Sequence, residues 1–164
     1  MAEPDTENGL SVARSLRSHP RESAEFGRVL AFSDGIFAIA MTLLVVGISV
    51  PTIQTASSVR ELADALNDLS EEVISFFISF AVIGRYWVAH NRFFALLGKA
   101  DLGLFGLNLL YLAFVAFLPF PTALLGDYFE NPLSVSIYAV TIALVSGSEV
   151  LLFLHAKKRG LFRV

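Results

Sequence analysis

The chain has 164 residues, of which 55% are hydrophobic and 16% charged, and its mean hydropathy is +0.65. A soluble domain ordinarily carries about 25% charged and about 45–50% apolar residues, so the balance excludes an ordinary water-soluble enzyme and points to a membrane protein. With no cysteine there is no disulfide scaffold, thiolate metal site or cysteine nucleophile, and a net charge of −3 gives no global pull toward nucleic acid or anionic lipid.

Residues 1–27 are polar and mixed in charge, with Pro4 and Pro20, and read as a disordered tail rather than a secretory signal. Residues 29–50 form the first spanning candidate. With Arg28 it is 23 residues, about 34 Å of helix, enough for the ~30 Å hydrocarbon core. Pro51 is the expected stop. Residues 51–72 are polar and acidic and read as a connection, with Asp68 and Glu71 spaced as a capping box for the next helix. The second span, about 73–97, is apolar through Ile83 and then polar and aromatic, with Arg85, Tyr86, Trp87, His90, Asn91 and Arg92. After a turn at 99–101, the third span, about 102–125, carries Asn108 and a kink or end at Pro119-Phe120-Pro121. The fourth, about 133–155, carries Glu149 and stops before Lys157-Lys158-Arg159-Gly160.

Basic residues test this topology independently. Ten of the 12 Lys and Arg fall before span one, between spans two and three, or after span four. The other two connections hold only Arg60, and Arg85 lies within span two. This alternation fits four spans with both termini cytoplasmic. The expected fold is therefore all-α, a polytopic membrane helical bundle: a disordered tail over 1–27, a membrane domain over 28–156 and a basic cytoplasmic end over 157–164.

Ionisable groups at membrane depth are costly, about 2.5–3.5 kcal/mol each on insertion scales. Asp34 lies six residues, about 9 Å, deeper than Arg28. Arg85 and His90 share that depth on span two, and either qualifies as a cross-helix partner of Asp34. No second His or carboxylate sits three or four residues from His90 to make a metal site. Glu149, beside Ser146, Gly147 and Ser148, reads as a packed, hydrogen-bonded or protonated carboxyl. Ile39, Thr42 or Leu43, and Val46 share one helical stripe. Periodicity leaves two readings open, helix packing or a pore lining with apolar rings that gate by dewetting.

Two motifs carry a family resemblance. Arg28-x-x-x-Phe32-Ser33-Asp34, followed by Gly35-Ile-Phe-Ala-Ile-Ala-Met-Thr42-Leu-Leu, resembles the signature first helix of the transmembrane protein 175 potassium channel family. Trp87-x-x-His90-Asn91-x-x-Phe94 resembles its second-helix pattern at the expected distance. The resemblance implies a potassium-permeable channel of the bacterial type in the plasma membrane, a homotetramer with the first helix of each subunit lining the pore. It also implies that Ile39 forms the narrowest constriction, with Leu43 and Val46 following toward the outside, and that Thr42 supplies the hydroxyl associated with potassium preference. Arg28, Phe32, Ser33, Asp34, Trp87, His90 and Asn91 match the network that holds the pore helix in place. Potassium ions, the bilayer and further copies of the chain are then the partners, with no cofactor, no nucleic acid and no metal beyond transient potassium. The family pattern has six helices per subunit, whereas four spans are read here. An ion-coupled secondary transporter and a non-conducting membrane scaffold are the rival readings; no HExxH, Ser/His/Asp or paired-carboxylate arrangement supports an enzyme.

Overall fold

A computed structural model describes residues 18–21 and 23–163. In chain order they form β1 (Ser18–Pro20), α1 (Ala24–Val46), α2 (Val59–Asp68), α3 (Ser70–Ala95), β2 (Lys99–Asp101), α4 (Leu102–Phe117), α5 (Pro119–Asp127) and α6 (Pro132–Arg159). Among the described residues, four helical stretches are long and apolar enough to cross a membrane: α1, α3, α4 with α5, and α6. The chain is a multi-pass membrane protein of all-α class.

The helix ends follow local chemistry. Ser23 caps α1 by accepting the Phe26 amide N–H, and Glu25 complements the positive end of the helix dipole. The first helix thus begins before Arg28 and stops at Val46, short of Pro51. Gly47 ends it where a Cβ would stand 3.1 Å from Cβ of Ala123, so α5 closes against this turn before the proline is reached. The acidic connection is not all loop. Ser58 accepts the Glu61 amide N–H and Glu61 accepts that of Thr55, starting α2 with a serine and glutamate at capping-box spacing. Asp68 caps nothing: α3 begins after Leu69 without a side-chain cap. Pro119 and Pro121 divide the third span into α4 and α5, since proline supplies no amide N–H to continue the ladder. Gly160 closes α6 in the left-handed conformation, φ 60°, behind Lys157, Lys158 and Arg159 in the last turn.

α1 packs on α3 and α4, α4 on α6, and α3 on α5. The core between them holds Phe37, Ile83, Phe94, Leu104, Tyr111 and Val115, with small polar residues at the helix contacts. Ser79, for example, accepts from Thr122 at 2.8 Å and shares a 3.0 Å hydrogen bond with Tyr138. Such pairs hold membrane helices together where no hydrophobic force distinguishes neighbour from lipid.

The tail expected over 1–27 lies partly outside the described residues. Within them, 18–20 pair antiparallel with 99–101, and 24–27 are the first turn of α1. His19 stacks on Phe105 at 5.5 Å, and the Arg21 guanidinium donates to the Ala95 carbonyl, so this segment is bound to the α3–α4 turn. The basic end is also structured, with α6 running to Arg159 and Phe162 bridging to Leu97.

Asp101 ties this end together. It caps α4 through the Leu104 amide at 2.8 Å, and the same oxygen meets His155 Nε2 at 2.9 Å, with Arg159 at 3.8 Å from the other. Gly103 makes room for that imidazole, since a Cβ there would stand 2.7 Å from it. Burial alone would raise the Asp101 carboxyl, but the Leu104 N–H, His155 and Arg159 together outweigh it and hold it below the usual carboxylate range. A lowered carboxyl stabilises fully above the unfolded value near pH 4 and ceases to do so as pH falls through the lower native value. Asp101→Asn should melt below the parent at pH 7, with the difference closing as pH drops below about 4. Asp101→Ala should lose in addition the cap, about 0.5–2 kcal/mol. Thermal unfolding in detergent across that pH range measures both.

Candidate functional site

The first helix presents two unlike faces. Phe26, Ser33, Phe37, Ala40 and Leu44 are buried against α3 and α4. Ile39 is 56% exposed, Leu43 45% and Val46 73%, with Phe32 52% exposed and Thr42 also on the surface. Arg28, Phe32, Ile39, Leu43 and Val46 fall within one narrow stripe at 100° per residue. The stripe therefore does not pack against the chain's own core. The Thr42 hydroxyl donates to the Ile39 carbonyl at 2.9 Å, which commits its proton to the backbone and leaves both lone pairs of the oxygen available to accept.

The opposite face is pinned by two polar systems. At its edge, Asp34 Oδ1 accepts from Trp87 Nε1 at 2.9 Å and from Asn91 Nδ2 at 3.4 Å. Trp87 and Asn91 are four residues apart and so share one stripe of α3. Neither Arg85 nor His90, the candidates drawn from charge and depth, hydrogen-bonds to Asp34. The Arg85 guanidinium sits 5.8 Å from the centre of the Tyr86 ring, on the side of α3 that meets α6.

His90 belongs to the second, buried system. Asn108 of α4 donates to Ser33 Oγ at 3.0 Å, and its carbonyl oxygen accepts from His90 Nε2 at 2.9 Å. Ser33 in turn donates to the Val29 carbonyl at 2.8 Å. One amide thus joins α1, α3 and α4. The His90 ring lies parallel to Tyr111 at 5.6 Å and also meets Phe94 and Phe37, while its Nδ1 is buried without a hydrogen-bond partner among the described residues. A neutral ring with its hydrogen on Nε2 suits this arrangement, because donation from Nδ1 would be unmet.

Of the residues singled out by sequence, the structure joins Asp34 to Trp87 and Asn91, and Ser33 to His90. Arg28 and Phe32 are exposed and take no part in these contacts. Asn108 is the residue that sequence reasoning missed. Its only signal was an amide in the middle of an apolar span, and only the fold reveals that it faces both Ser33 and His90.

Comparisons with known proteins identify the family and the fold. A family model described as endosomal/lysosomal potassium channel TMEM175 matches residues 28–119, which take in all but the first turn of α1 and the whole of α3 and α4. A potassium channel of Chamaesiphon minutus is 45% identical over 121 residues, 72% of this chain and 59% of the relative. A potassium channel of Streptomyces collinus is 40% identical over 129 residues, 79% of this chain and 61% of the relative. The chain thus spans about three fifths of the length of these curated relatives. It is also similar to the crystal structure of a lysosomal potassium-selective channel TMEM175 homolog from Chamaesiphon minutus, with a TM-score of 0.75 and 38% identity over 85% of this chain and 76% of the other.

Asn108→Ala should destabilise the bundle by about 1–3 kcal/mol, because it leaves the buried His90 Nε2–H without an acceptor. Asn91→Ala removes a long, exposed contact to Asp34 and a 3.1 Å hydrogen bond to the Trp87 carbonyl of its own helix, leaves no buried group unmet, and should cost less than about 0.5 kcal/mol. Melting temperatures of the two variants in detergent give the ranking, and equal losses would contradict it.

Proposed function

The chain belongs to the TMEM175 family, and on that premise we propose that it forms a potassium-permeable cation channel whose pore is lined by α1. The observation that carries this reading is the two-faced first helix, with Ile39, Thr42, Leu43 and Val46 left outward while Ser33 and Phe37 are buried and Asp34 is tied to α3 at the edge of that face. A stripe with no partner among the described residues of its own subunit needs lipid, another protein surface or a pore axis to cover it. A helix facing only lipid has no use for a polar system that sets its rotation. In a homotetramer four copies of α1 would surround an axis, with Ile39 as the constriction, Leu43 and Val46 as wider apolar rings and Thr42 as a hydroxyl ring.

The physics of such a pore is simple. A narrow apolar ring excludes water, and a cation crosses only by giving up part of its hydration. The Thr42 oxygen, its proton committed to Ile39, offers replacement coordination one turn away. Ser33, Asp34, Trp87, His90 and Asn91 have a supporting role in this reading, setting where the rings point, whereas Arg28 and Phe32 lie on the outward stripe itself. In this reading the bias of Lys and Arg supports a cytoplasmic side for both termini, and the bacterial relatives support a bacterial plasma membrane.

Ile39→Asn should raise single-channel conductance and blur potassium over sodium, since amides at the narrowest ring lower the cost of keeping it wet. Thr42→Ala should weaken potassium preference with a smaller change in conductance. Planar-bilayer recording of purified protein, with its oligomer mass measured alongside, tests both. Unchanged or lost potassium current in correctly assembled Ile39→Asn, or flux driven only by a proton gradient, would contradict the pore.

A further inference from the structure

The half of the bundle nearer its basic end contains a cavity that the proposed pore does not use. Long side chains join α3 to α6: Tyr86 Oη shares a 2.7 Å hydrogen bond with Ser146 Oγ, and Tyr138 Oη reaches Ser79 Oγ at 3.0 Å. Beyond these links lies a cavity of about 260 Å³, lined by Phe93 of α3 and by Glu149, Val150 and Phe153 of α6. The Phe162 ring stands 6.2 Å from that of Phe93 and 5.5 Å from that of Phe153, so three aromatic rings gather here. Val150 is 55% exposed and Phe153 47%, so the cavity opens sideways, toward the surrounding bilayer.

The Glu149 carboxyl is the one charged group in this lining. Among the described residues it forms no hydrogen bond and no salt bridge. Arg85 of α3 acts on it only through space, and the Arg85 side chain is exposed, 5.8 Å from the centre of the Tyr86 ring. Glu149 lies ten residues, about 15 Å, before Arg159, which places it in the hydrocarbon layer rather than among the lipid headgroups. An ionisable group left open at that depth is costly and calls for a partner.

The lining decides what kind of partner fits. One carboxyl among Phe and Val side chains offers a bare metal ion too few oxygen ligands. An anion is repelled by the carboxylate, and a neutral apolar molecule leaves it unmet. An organic cation answers both parts of the wall, since aromatic rings are the apolar surface that best accepts positive charge. The volume falls below the roughly 300–1,000 Å³ of pockets that hold drug-sized ligands, so the occupant is compact. We propose that this cavity is a binding site for a compact lipophilic organic cation, such as an alkylated ammonium, which enters from the bilayer and sets its charge against Glu149 between Phe93 and Phe153. Arg85 opposes this binding, because it acts on the same carboxylate.

The chain has no cysteine, so a single Val150→Cys in the cavity wall reports occupancy directly. Its alkylation by N-ethylmaleimide is followed in the full chain in nonionic detergent, with trimethyl(adamantyl)ammonium added at increasing concentration. Adamantanol and adamantane carboxylate supply the same cage with no charge and with the opposite charge. The ammonium should protect the thiol, while the other two should not. It should leave Leu151→Cys, 48% exposed on the neighbouring stripe, unprotected. Adding Glu149→Gln to Val150→Cys should raise the half-protecting concentration roughly tenfold or more, as expected when a charge-assisted contact is lost. Glu149→Asp, which retains the charge, should keep the preference for the ammonium over the alcohol, and Arg85→Gln should lower the half-protecting concentration. The proposal is overturned by absence of protection, by equal protection from the three compounds, or by equal protection of Leu151→Cys. Unchanged protection in Glu149→Gln, loss of the preference in Glu149→Asp, or weaker protection in Arg85→Gln would overturn it as well.

Discussion

The rotational setting of the first helix is the constraint on which the rest depends. A long apolar helix in lipid has little reason to prefer one rotation over another, because hydrocarbon covers any face equally well. Here the preference comes from hydrogen bonds. Asp34 accepts from Trp87 and Asn91 at one edge, and Ser33 accepts from Asn108 on the buried face. Rotating α1 by one residue would pull both acceptors from their donors and carry Phe37 out of the core. The outward placement of Ile39, Leu43 and Val46 follows from that lock.

The lock uses few formal charges. Asp34 is met by an indole and an amide rather than by Arg85 or His90, so no ion pair has to be desolvated between helices. His90 is enclosed by Phe37, Phe94 and Tyr111 and tied to Asn108, which suits a ring carrying no net charge. Formal charge gathers instead at the basic end, where Asp101, His155 and Arg159 join the α3–α4 turn to the end of α6. Polar pairing inside and ionic pairing at the rim follow the steep change in the cost of charge across a bilayer.

The parts of this structure legible in the sequence are those written in composition. Four spans stood out because runs of Leu, Val, Ile and Phe between polar connections have few other uses, and Pro119 with Pro121 marked the division of the third. Helix α2 was hidden because its acidic face, Glu61, Asp64 and Asp68, made the connection look uniformly polar, although Ser58 and Glu61 carried a start signal. Strand β1 was illegible: three residues containing a proline show no alternation, and their partner lies some 80 residues away. Partner choice was harder still. Trp87 and His90 sit three residues apart, yet one faces Asp34 and the other Asn108, and only the packing of α1 against α3 and α4 decides between them.

That α1 faces an axis shared by several copies is the central claim, and the absence of cysteine makes it directly testable. A single Ile39→Cys variant in membranes, treated with a short thiol-specific cross-linker and with a lipid-soluble maleimide in parallel, reports what covers this position. The account predicts cross-linked subunits and protection from the lipid-phase reagent. Rapid labelling from the lipid phase without any cross-linked product would contradict it.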